Sequence, residues 1–146
     1  MRPSRREPPL SDVGPEQAEI LLARAREARG RAYAPYSGFP VGAAVLTDGG
    51  EVHAGANVEN ASYPLSACAE RSAVQRAVSE GATGLVAVAV AGPPGGTVWP
   101  CGGCRQVLHE FGPDLLVITE AGDSGPRRQR RLGELLPDSF GPADLD

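Results

Sequence analysis

Apolar positions along the chain recur at two spacings. Between Pro15 and Arg29, the residues Ala18, Ile20, Leu21, Leu22 and Ala25 fall among charges at helical intervals, which predicts a helix. Pro15 suits its first turn and Gly30 its stop. Val41 to Thr47 and Glu51 to Ala56 read as two strands joined by the turn residues Asp48, Gly49 and Gly50. Ala67 to Ser79 is expected to be a helix ended by Gly81. Leu85 to Ala91 is an unbroken apolar run of the kind that forms a buried strand, and Cys101 to Phe111 returns to helical spacing. Leu115 to Thr119 reads as another buried strand. After the turn at residues 122–126, the arginine-rich Arg127 to Arg131 is expected to pair with it as an exposed edge. This order predicts an α/β fold, a mixed five-stranded sheet covered by helices, in one domain over residues 15–146. Residues 1–14 show no periodicity and are expected to form a flexible tail.

Composition narrows the function. A chain of 146 residues with 41% hydrophobic and 5% aromatic content buries only a modest core, which favours support from a metal or from oligomerisation. The formal net charge of -4 excludes a general basic surface for nucleic acid and favours a small substrate. All 14 basic side chains other than histidine are arginine, a compositional bias without chemical meaning. No stretch approaches the roughly 20 apolar residues of a membrane span. The first residues lack an apolar signal core, so a cytoplasmic protein with no membrane partner is expected. In a reducing compartment the three cysteines, Cys68, Cys101 and Cys104, are better suited to metal binding or catalysis than to a disulfide.

Two short motifs carry the chemistry, Cys68-Ala69-Glu70 and Pro100-Cys101-Gly102-Gly103-Cys104, each placed at the start of a predicted helix. Cysteines three apart in a first turn share a face, and a third thiolate from another helix start completes a cup with one tetrahedral position left open. Three protein ligands plus water is the pattern of a catalytic zinc site. Three thiolates need charge compensation, which helix N-termini supply together with Arg71 or Arg105. Glu70 sits beside the metal without being required to bind it, as a proton carrier would. A Cys-x-x-Cys pair alone also fits a structural zinc half-site or a redox dithiol, but neither explains Cys68 followed by Glu70. His53 and His109 lie away from the motifs and are read as structural or solvated.

These two motifs, with Arg105-Gln106 after the second, resemble the zinc signature of the cytidine deaminase family. The segments Tyr36 to Ala44, Gly55 to Tyr63 and Leu135 to Phe140 resemble family segments in the family's order. The resemblance implies the three-layer α-β-α fold of the small, three-cysteine, homotetrameric branch, with one Zn2+ per subunit. It implies that Cys68, Cys101 and Cys104 hold zinc, that Glu70 moves protons, and that Arg71 bonds the ligand thiolates. Substrate contacts implied in the same way are Phe39 near the base, Ala69 through its backbone, and Asn57 and Glu59 on the ribose hydroxyls. Ala61, Tyr63 and Phe140 would reach a neighbouring subunit's site. The implied reaction is hydrolytic deamination of cytidine and 2'-deoxycytidine in pyrimidine salvage, with free cytosine a poor substrate. Two other readings stay open: deamination of another aminopyrimidine such as blasticidin S, against which the Phe140 segment and the Asn57 and Glu59 pair argue, and a structural zinc module in which Glu70 is dispensable.

Overall fold

The computed structural model describes residues 13–146. The tail expected over residues 1–14 therefore lies mostly outside the described residues. Helix α1 (Pro15–Arg29) starts on Pro15 and buries Ala18, Leu21, Leu22, Ala25 and Ala28 as one stripe. Gly30 ends it in an ordinary right-handed conformation and not in the left-handed one glycine often supplies. Strands β1 (Gly42–Thr47) and β2 (Val52–Ala56) form the expected antiparallel hairpin, with Gly50 at φ 87° in its turn.

Helix α2 (Ala69–Ser79) leads to β3 (Leu85–Ala91), which is buried throughout. Helix α3 (Gly102–Phe111), β4 (Leu116–Glu120) and β5 (Arg127–Arg131) follow, then a short helix α4 (Leu132–Leu135). The spatial order is β2-β1-β3-β4-β5; β3 and β4 run parallel and every other pair is antiparallel. This is the expected mixed five-stranded sheet. Among the described residues no helix is long and apolar enough to cross a membrane.

Side chains alternate across the sheet and build two cores. Ala44, Leu46, Val86, Ala87, Ala89, Leu116 and Ile118 pack under α1, while Ala43, Val45, Val88, Val90 and Val117 pack under α2 and α3. Two glycines let helices lie directly on the strands. A Cβ at Gly42 would overlap the Ala25 carbonyl of α1, and one at Gly55 would press on Ser72 and Ala73 of α2. Three layers result, and both motif-bearing helices lie on one face, with α3 entered from the carboxyl end of β3, where open α/β sheets bind ligands.

Candidate active site and metal centre

Both motifs begin helices as the spacing predicts. Cys68 is the N-cap of α2 and Cys101 the N-cap of α3, so the helix proper starts one residue later in each. Cys104 lies in the first turn of α3 and is fully buried. The three sulfurs lie within 4.8 Å of one another, with Cys68 Sγ and Cys101 Sγ 3.9 Å apart. Tetrahedral Zn–S bonds of about 2.3 Å require sulfurs about 3.8 Å apart, so this donor set fits a zinc ion. The positive ends of two helices converge on the cup and offset thiolate charge.

The thiols share protons unequally. A hydrogen bond from the Cys104 thiol, with Arg71 adding to it, holds the Cys68 thiol well below the ordinary thiol range. Cys104 is pushed up by that same bond and by burial. Metal binding displaces such protons. Arg71 Nη2 reaches Cys68 Sγ at 3.8 Å and donates to the Ser66 carbonyl at 2.9 Å. Ser66-Ala67 is thus part of the site's mounting, since Ala67 also pairs in both directions with Val58. Arg105 does not touch a sulfur, contrary to expectation. Its Nε donates to the Pro100 carbonyl at 2.7 Å and its Nη1 to the Leu135 carbonyl at 2.8 Å, because the side chain turns back along α3.

Glu70 is 4% exposed, and its Oε2 lies 3.8 Å from Cys104 Sγ. Burial raises its pKa above the ordinary carboxylate value, and the Cys68 charge adds to the effect. The carboxyl is therefore placed to hold a proton beside the sulfur cup.

A cleft of about 380 Å³ opens over the cup, lined by Ser37, Phe39, Val41, Asn57, Glu59, Cys68, Ala69, Glu70, Val98, Trp99 and Cys101. It brings together most of the residues singled out from the sequence. Asn57 is buried; its amide oxygen accepts from the Val41 N–H and its amide nitrogen donates to the Phe39 carbonyl, both at 2.9 Å. One N–H and one lone pair remain for the cleft. The Glu59 carboxylate accepts from the backbone N–H of Tyr36 and of Ser37 and from the Ser37 hydroxyl, which together hold it below the ordinary carboxylate range.

Ala61, Tyr63 and Phe140 do not line the cleft. Tyr63 borders an adjoining hollow of about 310 Å³ with Tyr36, Ser37, Glu59 and Ser66, and its ring meets Tyr36 edge-on at 5.8 Å. Tyr63 is 70% exposed and Phe140 62%. The Phe140 carbonyl accepts from Gln106 of α3 at 2.8 Å, which fixes the segment while leaving the ring free. Sequence reasoning missed Ser37, Val41, Val98 and Trp99. Their signal was proximity, since Ser37 and Val41 flank Phe39 and Trp99 stands two residues before Cys101.

Residues 15–120 match the family described as the cytidine and deoxycytidylate deaminase zinc-binding region. The chain belongs to that family. It is 48% identical over 126 residues to a cytidine deaminase of Mycobacterium tuberculosis, covering 86% of this chain and 91% of that one. It is 42% identical over 127 residues to a cytidine deaminase of Sporosarcina psychrophila, covering 87% and 93%. A crystal structure of cytidine deaminase from Burkholderia pseudomallei superimposes with a TM-score of 0.78 at 47% identity, covering 84% of this chain and 98% of that one.

Proposed function

We propose that this chain is a zinc-dependent hydrolytic deaminase converting cytidine and 2'-deoxycytidine to uridine and 2'-deoxyuridine with release of ammonia. The observation that carries the reading is the three-sulfur cup with the buried Glu70 carboxyl beside it, at the floor of a nucleoside-sized cleft. Cys68, Cys101 and Cys104 hold one zinc per subunit. Bound in this cup, zinc lowers the pKa of water enough to supply a nucleophile near neutral pH.

Glu70 takes the proton that the attacking water gives up and delivers it to N3 of the cytosine ring. A second proton passes through the same carboxyl to the departing amine, so one water enters and one ammonia leaves. Its raised pKa supports this role, because the group must carry a proton for part of each cycle. Arg71 offsets thiolate charge at Cys68. The Ala69 backbone orients the pyrimidine and Phe39 packs near it. Asn57 and Glu59 hold the ribose hydroxyls, which positions the base over the reacting centre.

The wide exposure of Phe140 and Tyr63, with Ala61 beside the latter, supports a homotetramer in which these residues complete a neighbouring subunit's site. The family likeness supports a place in cytoplasmic pyrimidine salvage. Loss of cytosine ultraviolet absorbance, followed with zinc-loaded protein on cytidine, blasticidin S and free cytosine in parallel, tests the reading. Rapid loss on cytidine alone is expected; loss on blasticidin S alone would move the substrate, and no loss on any of the three would contradict deamination.

A further inference from the structure

Trp99 is the sole tryptophan of the chain and forms part of the cleft wall. Its backbone is clamped on both sides. Thr97 pairs with Ala121, the Thr119 hydroxyl donates to the Val98 carbonyl at 3.0 Å, and Arg105 holds the Pro100 carbonyl at 2.7 Å. The indole is half-buried against the core under α2 and α3. Over it stands Arg130, with the guanidinium carbon 5.9 Å from the ring centre, within the range of a cation–π contact. Arg130 lies opposite Val117 on β5, which directs it to this face of the sheet. Among the described residues its side-chain hydrogen bond goes to the Gln129 carbonyl at 2.9 Å, and no carboxylate pairs with it.

We propose that Trp99 is a specificity-determining wall for the pyrimidine ring and that Arg130 is the residue that positions it. The proposal rests on the deaminase reading. With the ribose at the Ser37, Asn57 and Glu59 rim and C4 at the sulfur cup, the ring turns its N3 edge to Glu70 on α2. Its C5 edge then faces the opposite wall, on the chain entering Cys101, where Trp99 stands. The clamped backbone fixes where the indole starts, and the exposed Arg130 guanidinium covers one face of it, so the ring sets an upper size for a C5 substituent.

The test compares kcat/KM for cytidine and 5-bromocytidine in the wild type and in Trp99→Ala, Trp99→Phe and Arg130→Gln. Trp99→Ala should raise the bromo-to-parent ratio about tenfold or more, the discrimination that a small change of volume gives in an apolar pocket. Arg130→Gln should raise it less, and Trp99→Phe, which opens part of the same space, should fall between wild type and Trp99→Ala. Fluorescence gives a second readout without turnover, because saturating uridine should shift the emission of this one tryptophan in the wild-type protein. Arg130→Gln should shift the emission of the free protein to longer wavelength. A ratio unchanged in Trp99→Ala, or an emission indifferent to uridine in an enzyme that turns over cytidine, overturns the proposal. Absence of wild-type turnover on cytidine instead overturns the deaminase reading, and the proposal falls with it.

Discussion

Two buried glutamates face opposite sides of the sheet. Glu120, at the end of β4 and 6% exposed, receives Arg26 through two hydrogen bonds of 2.7 Å, and the same guanidinium bonds Glu19 at 2.9 Å. Arg127 joins Glu19 from β5, and Arg29 ties the Gly92 carbonyl and Asp123 to α1. On this face the charges close on one another. Glu70, buried as deeply on the other face, has a thiol at 3.8 Å and no guanidinium on its oxygens among the described residues. Its neighbour Arg71 turns to Cys68 and Ser66 instead. A carboxylate with a bidentate partner is fixed in charge and position, whereas one without a partner keeps its proton available. The first locks α1 to β4, where losing one partner would leave a buried charge, and the second has the raised pKa that its proposed role as a proton carrier requires.

The largest effect that sharpens this contrast comes from the cup. Cys101→Ser should reduce turnover to background and lower bound zinc below one per subunit, measured by metal analysis of the purified protein. Next is Arg26→Leu, which strands the Glu120 carboxylate. Because Arg26 is about a fifth exposed, a loss of roughly 2 kcal/mol is expected, below the 3–5 kcal/mol of a fully buried pair. Urea denaturation should show that loss while kcat of the folded enzyme stays near wild type, and a large fall in kcat would break the division between the two faces.

Asn57→Ala removes two hydrogen bonds of about 1 kcal/mol each from the Phe39–Val41 segment and should raise KM about tenfold with a smaller change in kcat. The smallest effect concerns Ser37. Its hydroxyl is the main cause of the lowered Glu59 pKa, so Glu59 stays ionised further into acid than an ordinary glutamate. Ser37→Ala should return that pKa toward the ordinary value, and the acid-side rise in KM should begin at higher pH than in the wild type, as a pH profile of KM would show.

Helices α1 to α3 and strands β1 to β4 were legible because each one's apolar pattern is local, whereas the arginine-rich β5 was read from the turn before it. The ends differ by one or two residues where Cys68 and Cys101 serve as caps instead of helical residues. Helix α4 was not legible, since Leu132 to Leu135 is too short for periodicity and is held by tertiary contacts such as the Leu132 N–H on the Leu115 carbonyl. The metal cup could be read because its chemistry sits in two motifs of a few residues. Arg105 could not: adjacency to Cys104 suggested a sulfur contact, and only the fold shows that it binds two carbonyls. Trp99 was equally hidden, because its place in the wall depends on Thr119 and Arg130 from distant strands.

The most direct test of the central claim is Glu70→Gln, assayed at once for zinc content, thermal unfolding and cytidine turnover. The substitution keeps size and removes the transferable proton, so zinc and fold should persist while turnover falls by about 10²–10⁴-fold, the contribution of a positioned acid–base group. A variant that binds zinc, folds and still deaminates cytidine at the wild-type rate would contradict the account.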